Sequence, residues 1–333
     1  MIELKLEEKK LLNIVQTAIP MVTKPYAEIG KKLDATESEV IDEIADLKRR
    51  NIIRQISAIF DTRKLGYKSV LIAMRFADDK LSKGARVINK HPGVSHNYGR
   101  NHYFNLWFTL AVPPNESIEE TVKQMEQDSG AEAARILPTL RFFKIGVNFD
   151  MLEEKGNSSA PLRDDYSAPS GMDGNVNHGL TKLEIDAVRE LQEDLPLISE
   201  PFKPMAERLG MSEKKLFAMV DSFQDRQYMR RFSAVLHHRK AGFRSNAMAC
   251  WKVPPDKAEA IGKLMAKHPA VSHCYERPVY PDWPYSHFTM LHATAKDECE
   301  DIAKELAGIT GIKDYAMLYS TREYKKTRVR YFV

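Results

Sequence analysis

The chain has 333 residues, of which 43% are hydrophobic and 29% charged, with a formal net charge of +4. That length holds two or more cores at roughly 100 to 200 residues per domain, and the composition is globular. The mild charge does not itself require nucleic acid and admits anionic small ligands; no run approaches the roughly 20 apolar residues of a membrane span, and the charged opening MIELKLEEKK lacks a signal peptide's apolar segment, so a cytoplasmic protein without membrane contact is expected.

In chain order, Leu4, Leu11, Leu12 and Val15 fall at helical spacing, a Pro-containing turn follows, and Tyr26 to Leu33 predicts a second helix. Thr36 with Glu39 forms a capping box opening a third, which carries Val40, Ile41, Ile44 and Leu47. Three short helices in that order predict a helix-turn-helix-like head. A strand is then expected over Gly66 to Phe76, a helix near Asp79 to Lys90, a strand from Val94, another over Tyr103 to Val112, a helix near Glu116 to Gln127 and a last strand near Leu137 to Phe149. The order βαββαβ predicts a ferredoxin-like α+β sandwich. Cys250, Cys274 and Cys299 are odd in number without CxxC spacing, so neither a disulfide framework nor a metal or iron–sulfur ligand set is expected.

The second half repeats the first. RQISAIFDTRKLGYKS, Arg54 to Ser69, lies against RRFSAVLHHRKAGFRS, Arg230 to Ser245, and HPGVSHNYGR, His91 to Arg100, against HPAVSHCYER, His268 to Arg277. The fold class is therefore a tandem duplication: a head over 1–62 and an α+β domain over 63–152, a Gly-, Ser- and Pro-rich flexible linker over 153–179, then a head over 180–238 and an α+β domain over 239–333. The copies are expected to pack through their sheets as an internal pseudo-heterodimer, with a homo-oligomer left open.

A helix-turn-helix followed by βαββαβ resembles the Lrp/AsnC regulators, which implies DNA binding. The third helix argues against it: Glu37, Glu39, Asp42, Glu43 and Asp46 precede Lys48, Arg49 and Arg50, and a groove-facing helix so acidic would repel phosphates. The hairpin segments HPGVSHNYGRNHYFNLWFTLAVP and HPAVSHCYERPVYPDWPYSHFTMLHA resemble the siroheme decarboxylases, Lrp-like enzymes of the alternative haem and haem d1 pathways in which two homologous subunits act together. That resemblance implies loss of carbon dioxide from two acetate side chains of siroheme, giving didecarboxysiroheme, with no cofactor beyond the iron-tetrapyrrole substrate; product or haem can co-purify. A DNA-binding regulator and a haem-binding carrier or sensor are the alternatives.

Decarboxylation at a pyrrole leaves electrons that the macrocycle can take up, so the protein must supply orientation, a dry site and a proton donor. Strand alternation puts His96, Tyr98 and Arg100 on one face, and likewise His273, Tyr275 and Arg277. The expected catalytic residues are His96 or His102, His273, Tyr98 and Tyr275. Arg100, Arg277, Arg54, Arg230 and Arg231 are expected to anchor carboxylates that do not react, because Arg on the reacting one would stabilise the ground state. His237 and His238, which replace Asp61 and Thr62 of the first copy, are substrate-contacting candidates of one half. Trp107 and Trp283 are candidates for the macrocycle's face, with a core role competing. His91 and His268 read as turn or helix-end residues.

Overall fold

The computed structural model describes residues 4–145, 179–236, 245–293 and 295–333. The first head is α1 (Leu6–Thr17), α2 (Pro25–Leu33) and α3 (Glu37–Arg49); the second is α6 (Lys182–Leu191), α7 (Lys203–Arg208) and α8 (Glu213–Asp225). The Thr36 capping box forms: Glu39 N–H donates to the Thr36 hydroxyl while the Glu39 carboxylate accepts from Thr36 N–H at 2.8 Å.

One strand of each copy went unpredicted. β1 (Ile53–Phe60) and β7 (Met229–Leu236) pair antiparallel, with Ser57 opposite its own homologue Ser233. Their β-branched and aromatic content suits a strand, but the pairing partner lies in the other copy, beyond any local pattern. The ribbon ties the heads together. Leu12, Tyr26 and Ile44 of the first share one core with Val188, Phe202 and Phe223 of the second. Both ends of α3 meet the second head, through Ser199 donating to Glu37 and a Lys48–Asp194 ion pair of 2.8 Å.

Below the heads, the first copy contributes β2 (Lys68–Arg75), α4 (Leu81–Ile88), β3 (Val94–Arg100), β4 (Leu106–Val112), α5 (Ile118–Ser129), β5 (Ala133–Leu137) and β6 (Arg141–Ile145). The second contributes β8 (Ser245–Trp251), α9 (Ala258–Lys267), β9 (Val271–Glu276), β10 (His287–Ala293), α10 (Lys296–Thr310) and β11 (Tyr315–Lys326). The expected βαββαβ order holds in both, but the copies exchange their ends. The single last strand expected near Leu137 to Phe149 is two: β5 pairs with β2 of its own copy, and β6 pairs with β9 of the other. The break falls at Pro138, which has no N–H to extend the ladder. The second copy has Tyr319 at the corresponding place and β11 runs on unbroken, pairing first with β8 and then, from Ser320, with β3 of the first copy. The sheet order is β5-β2-β4-β3-β11-β8-β10-β9-β6. Phe143 of the exchanged β6 seats on α9 where Gly262 leaves room; a Cβ there would stand 2.3 Å from its ring.

Helices cover the outer faces over two separate cores. The inner faces meet in a third core built from both copies, with Trp107, Phe104 and Leu137 against Trp283, Phe288 and Leu318. The Pro-rich turn after β9 locks onto β5: Asp282 takes a bidentate pair from Arg135 at 2.9 and 2.5 Å, and Tyr280 donates to the Ile136 carbonyl at 2.6 Å. Most of segment 153–179 lies outside the described residues. Among those described, no helix is long and apolar enough to cross a membrane.

Candidate functional site

The interior between the two half-sheets carries both predicted rows. His96 stacks beside Tyr98 with ring centroids 6.5 Å apart, and the Arg100 guanidinium lies over the Tyr98 ring at 5.4 Å. The second copy repeats this: His273 beside Tyr275 at 6.1 Å, and Arg277 over Tyr275 at 5.0 Å. Each imidazole Nδ1 sits against the preceding serine hydroxyl, Ser95 at 3.1 Å and Ser272 at 2.8 Å. Two homologous strands, one from each copy, thus carry the same three groups in the same arrangement.

The arginine ends of the rows converge in the shared core. Arg100 is 9% exposed and donates through Nη1 to the Leu318 carbonyl, while Arg277 is 6% exposed and donates to Leu137. Burial pulls the Arg100 pKa down and pushes the Cys250 thiol up, and both guanidiniums act on that thiol. Arg100 Nε has no hydrogen-bond partner among the described residues.

The histidine ends lie toward the heads. Beside His96 a small cleft, partly open to solvent, is bounded by Phe60, Ser69, Thr109, Arg328 and Tyr331. In the second copy burial, with His292 and Lys144 adding positive charge nearby, lowers His273 to about 4. Arg54 reaches in from β1, donating to the Lys326 carbonyl, with Glu323, Tyr98 and Arg328 close enough to act on its charge. On the opposite side Arg230 pairs with Asp61 at 2.9 Å, and Arg63 lies near Asp61, Arg230 and Tyr275. Arg231 donates from Nε to Ser233 at 3.1 Å. The interior is cationic at both histidine ends and suits a ligand with several carboxylates.

Some candidates fall elsewhere. His102 is beyond the far end of β3 from His96, with its ring edge-on to Trp283 at 5.2 Å, so the two histidines do not converge on one point. Trp107 and Trp283 are 1% and 0% exposed and meet edge-on at 5.0 Å in the core shared by the two copies. His91 and His268 each accept at Nδ1 from a backbone N–H two residues on, as turn residues do. His237 and His238 lie outside the described residues. Sequence reasoning passed over Arg63, Lys144 and Arg328. Arg63 could have been found, because Arg239 repeats it in the second copy; Lys144 and Arg328 reach the interior only through the exchanged ends.

Fold and site define a fused pair of AsnC-type modules whose sheets meet in a shared core. Residues 64–144 and 240–325 match the AsnC-like ligand binding domain, and 8–54 and 184–230 match the siroheme decarboxylase NirDL-like HTH domain. A siroheme decarboxylase of Hydrogenobacter thermophilus is 38% identical over 98% of this chain and 95% of its own. The siroheme decarboxylase beta subunit of Methanosarcina barkeri is 42% identical, 45% of this chain covering 99% of it. The crystal structure of the siroheme decarboxylase NirDL in co-complex with an iron-uroporphyrin III analogue superposes with a TM-score of 0.73 at 34% identity, over 98% of this chain and 95% of that one. The chain belongs to the siroheme decarboxylase family and is a carboxy-lyase.

Proposed function

We propose that this chain removes carbon dioxide from two acetate side chains of siroheme to give didecarboxysiroheme. The observation that carries the reading is the His-Tyr-Arg row repeated in both copies, with the two arginines converging on Cys250 in the core the copies share. It is supported by the relatives' activity and by a related structure that holds an iron-uroporphyrin III analogue.

In each step the bond to the carboxylate carbon breaks, carbon dioxide leaves, and the electron pair stays on the side-chain carbon in conjugation with the macrocycle. A proton from an imidazolium then closes that carbon to a methyl group. His96 and His273 are the donors, with Tyr98 and Tyr275 as polar neighbours. Burial, with His292 and Lys144 nearby, lowers His273 to about 4; a carboxylate-rich substrate alongside favours the imidazolium and so charges its own donor. Arg54, Arg230, Arg231, Arg100 and Arg277 anchor acids that do not react. The macrocycle takes the electrons, so the reading assigns no added organic cofactor, and the two copies act as one internal pseudo-heterodimer.

Anaerobic incubation with siroheme followed by mass analysis tests the reading. Loss of two carbon dioxides is the expected result. Unchanged pigment with a shifted absorption spectrum would instead make the protein a tetrapyrrole carrier.

A further inference from the structure

The C-terminal segment after β11 does not leave the molecule. Thr327 N–H donates to the Ser95 carbonyl at 2.7 Å, Tyr331 N–H to the Gln192 side chain at 2.8 Å, and Phe332 N–H to the Tyr67 hydroxyl at 2.6 Å. These bonds hold the second copy's C-terminal stretch along the first copy's cleft, which Thr327, Val329 and Tyr331 help to line. Arg328 is carried between the pinned points and lines that cleft with His96. Its Nε is buried without a hydrogen-bond partner, and no ion pair engages its guanidinium among the described residues. A second guanidinium, Arg54, stands near enough for the two like charges to disfavour one another, with Glu323 as the acid beside Arg54.

A buried N–H with no acceptor costs free energy, and two adjacent guanidiniums add repulsion. An anionic ligand group between them relieves both. We infer that Arg328 is a carboxylate-binding residue of the first pocket, delivered by the second copy's C-terminal segment to hold an acidic side chain of the tetrapyrrole beside His96. The inference rests on the siroheme reading above. It also makes the pockets unlike. Counting from Glu323 opposite Tyr98 and Phe142 opposite Tyr275, the first copy's counterpart of Arg328 is Val147, which lies outside the described residues but cannot supply a charge in any position.

The test compares the full-length chain with Arg328→Met and Arg328→Lys by siroheme titration and by steady-state turnover. A charge-assisted hydrogen bond to a carboxylate predicts on the order of a 10- to 100-fold rise in Kd and KM for the methionine variant. The kcat should change little, lysine should recover part of the affinity, and the unfolding midpoint of the methionine variant without substrate should rise slightly and not fall, because an unpaired buried N–H and a like-charge contact are removed. Unchanged Kd and KM in Arg328→Met, with the parent active on siroheme, would overturn the inference and leave the reading standing. A parent chain that neither binds nor converts siroheme would overturn both.

Discussion

Arg100 Nη1 donates to the main-chain carbonyl of Leu318 at 3.2 Å, and its homologue Arg277 donates to Leu137, the residue that corresponds to Leu318 in the other copy. Each arginine therefore holds the strand of the opposite copy where the exchange of ends begins. Arg100→Met leaves the Leu318 carbonyl buried without this donor, and the chain should lose roughly 1–3 kcal/mol of stability. Denaturant unfolding without substrate measures it, and an unchanged midpoint would remove the lock. Because Nε is still unoccupied, siroheme affinity should fall in the same variant.

The contact between copies centres on Trp283, which meets Trp107, Phe104 and His102 edge-on. Trp283→Ala should cost about 3–5 kcal/mol, the usual penalty for an emptied aromatic site. Trp283→Phe should cost less, since it keeps most of the packing and removes an indole N–H that has no partner among the described residues. Calorimetry on both variants checks the order; equal losses would mean that the volume is not what matters.

The sequence showed the architecture of each copy because its signals are local. The capping box at Thr36, helical spacing in the first head and alternation along the hairpins all act within a few residues. It concealed how the copies interlock, because β1–β7, β6–β9 and β11–β3 are pairings between distant segments that no periodicity encodes. The same limit governs the site. His96, Tyr98 and Arg100 lie on one strand and could be read by alternation, whereas Arg328 and Lys144 reach the interior only because the chain ends cross over.

The acids Glu37, Glu39, Asp42, Glu43 and Asp46 lie on α3, and both ends of that helix are engaged with the second head. Duplex DNA should therefore not bind appreciably at physiological salt. A fluorescence anisotropy titration showing tight, sequence-selective binding would contradict this.

Burial holds His273 at about 4, below the 6.5 of an open imidazole, with His292 and Lys144 adding to the effect. Between those values the unfolded chain binds the proton and the folded chain does not. Stability should therefore fall as pH drops from about 6.5 toward 4, by up to about 1.4 kcal/mol per unit, and the loss should level off below 4. In His273→Gln this part of the slope should disappear. Urea unfolding at a series of pH values checks it, and parallel curves for the parent and the variant would sink the assignment.

The proton donors and the anchors need opposite properties, which makes them separable by kinetics. A donor must change charge near the working pH, as an imidazole can, whereas an anchor should stay charged throughout. Replacing His96 or His273 by Ala should lower kcat by roughly 100-fold or more for the step that histidine serves, with little loss of siroheme binding. Replacing Arg54 or Arg230 should instead raise KM with kcat less affected. Each copy carries one row, and if each serves one acetate, a single histidine change should stall the reaction at the mono-decarboxylated pigment. Mass analysis of that product then assigns a step to a row. His102→Ala supplies the contrast: its ring packs against Trp283 beyond the far end of β3, so stability should fall while both steps proceed. If the His96→Ala/His273→Ala double variant keeps full two-step turnover, neither histidine is the donor, and the proton must come from His102, Tyr98, Tyr275 or water.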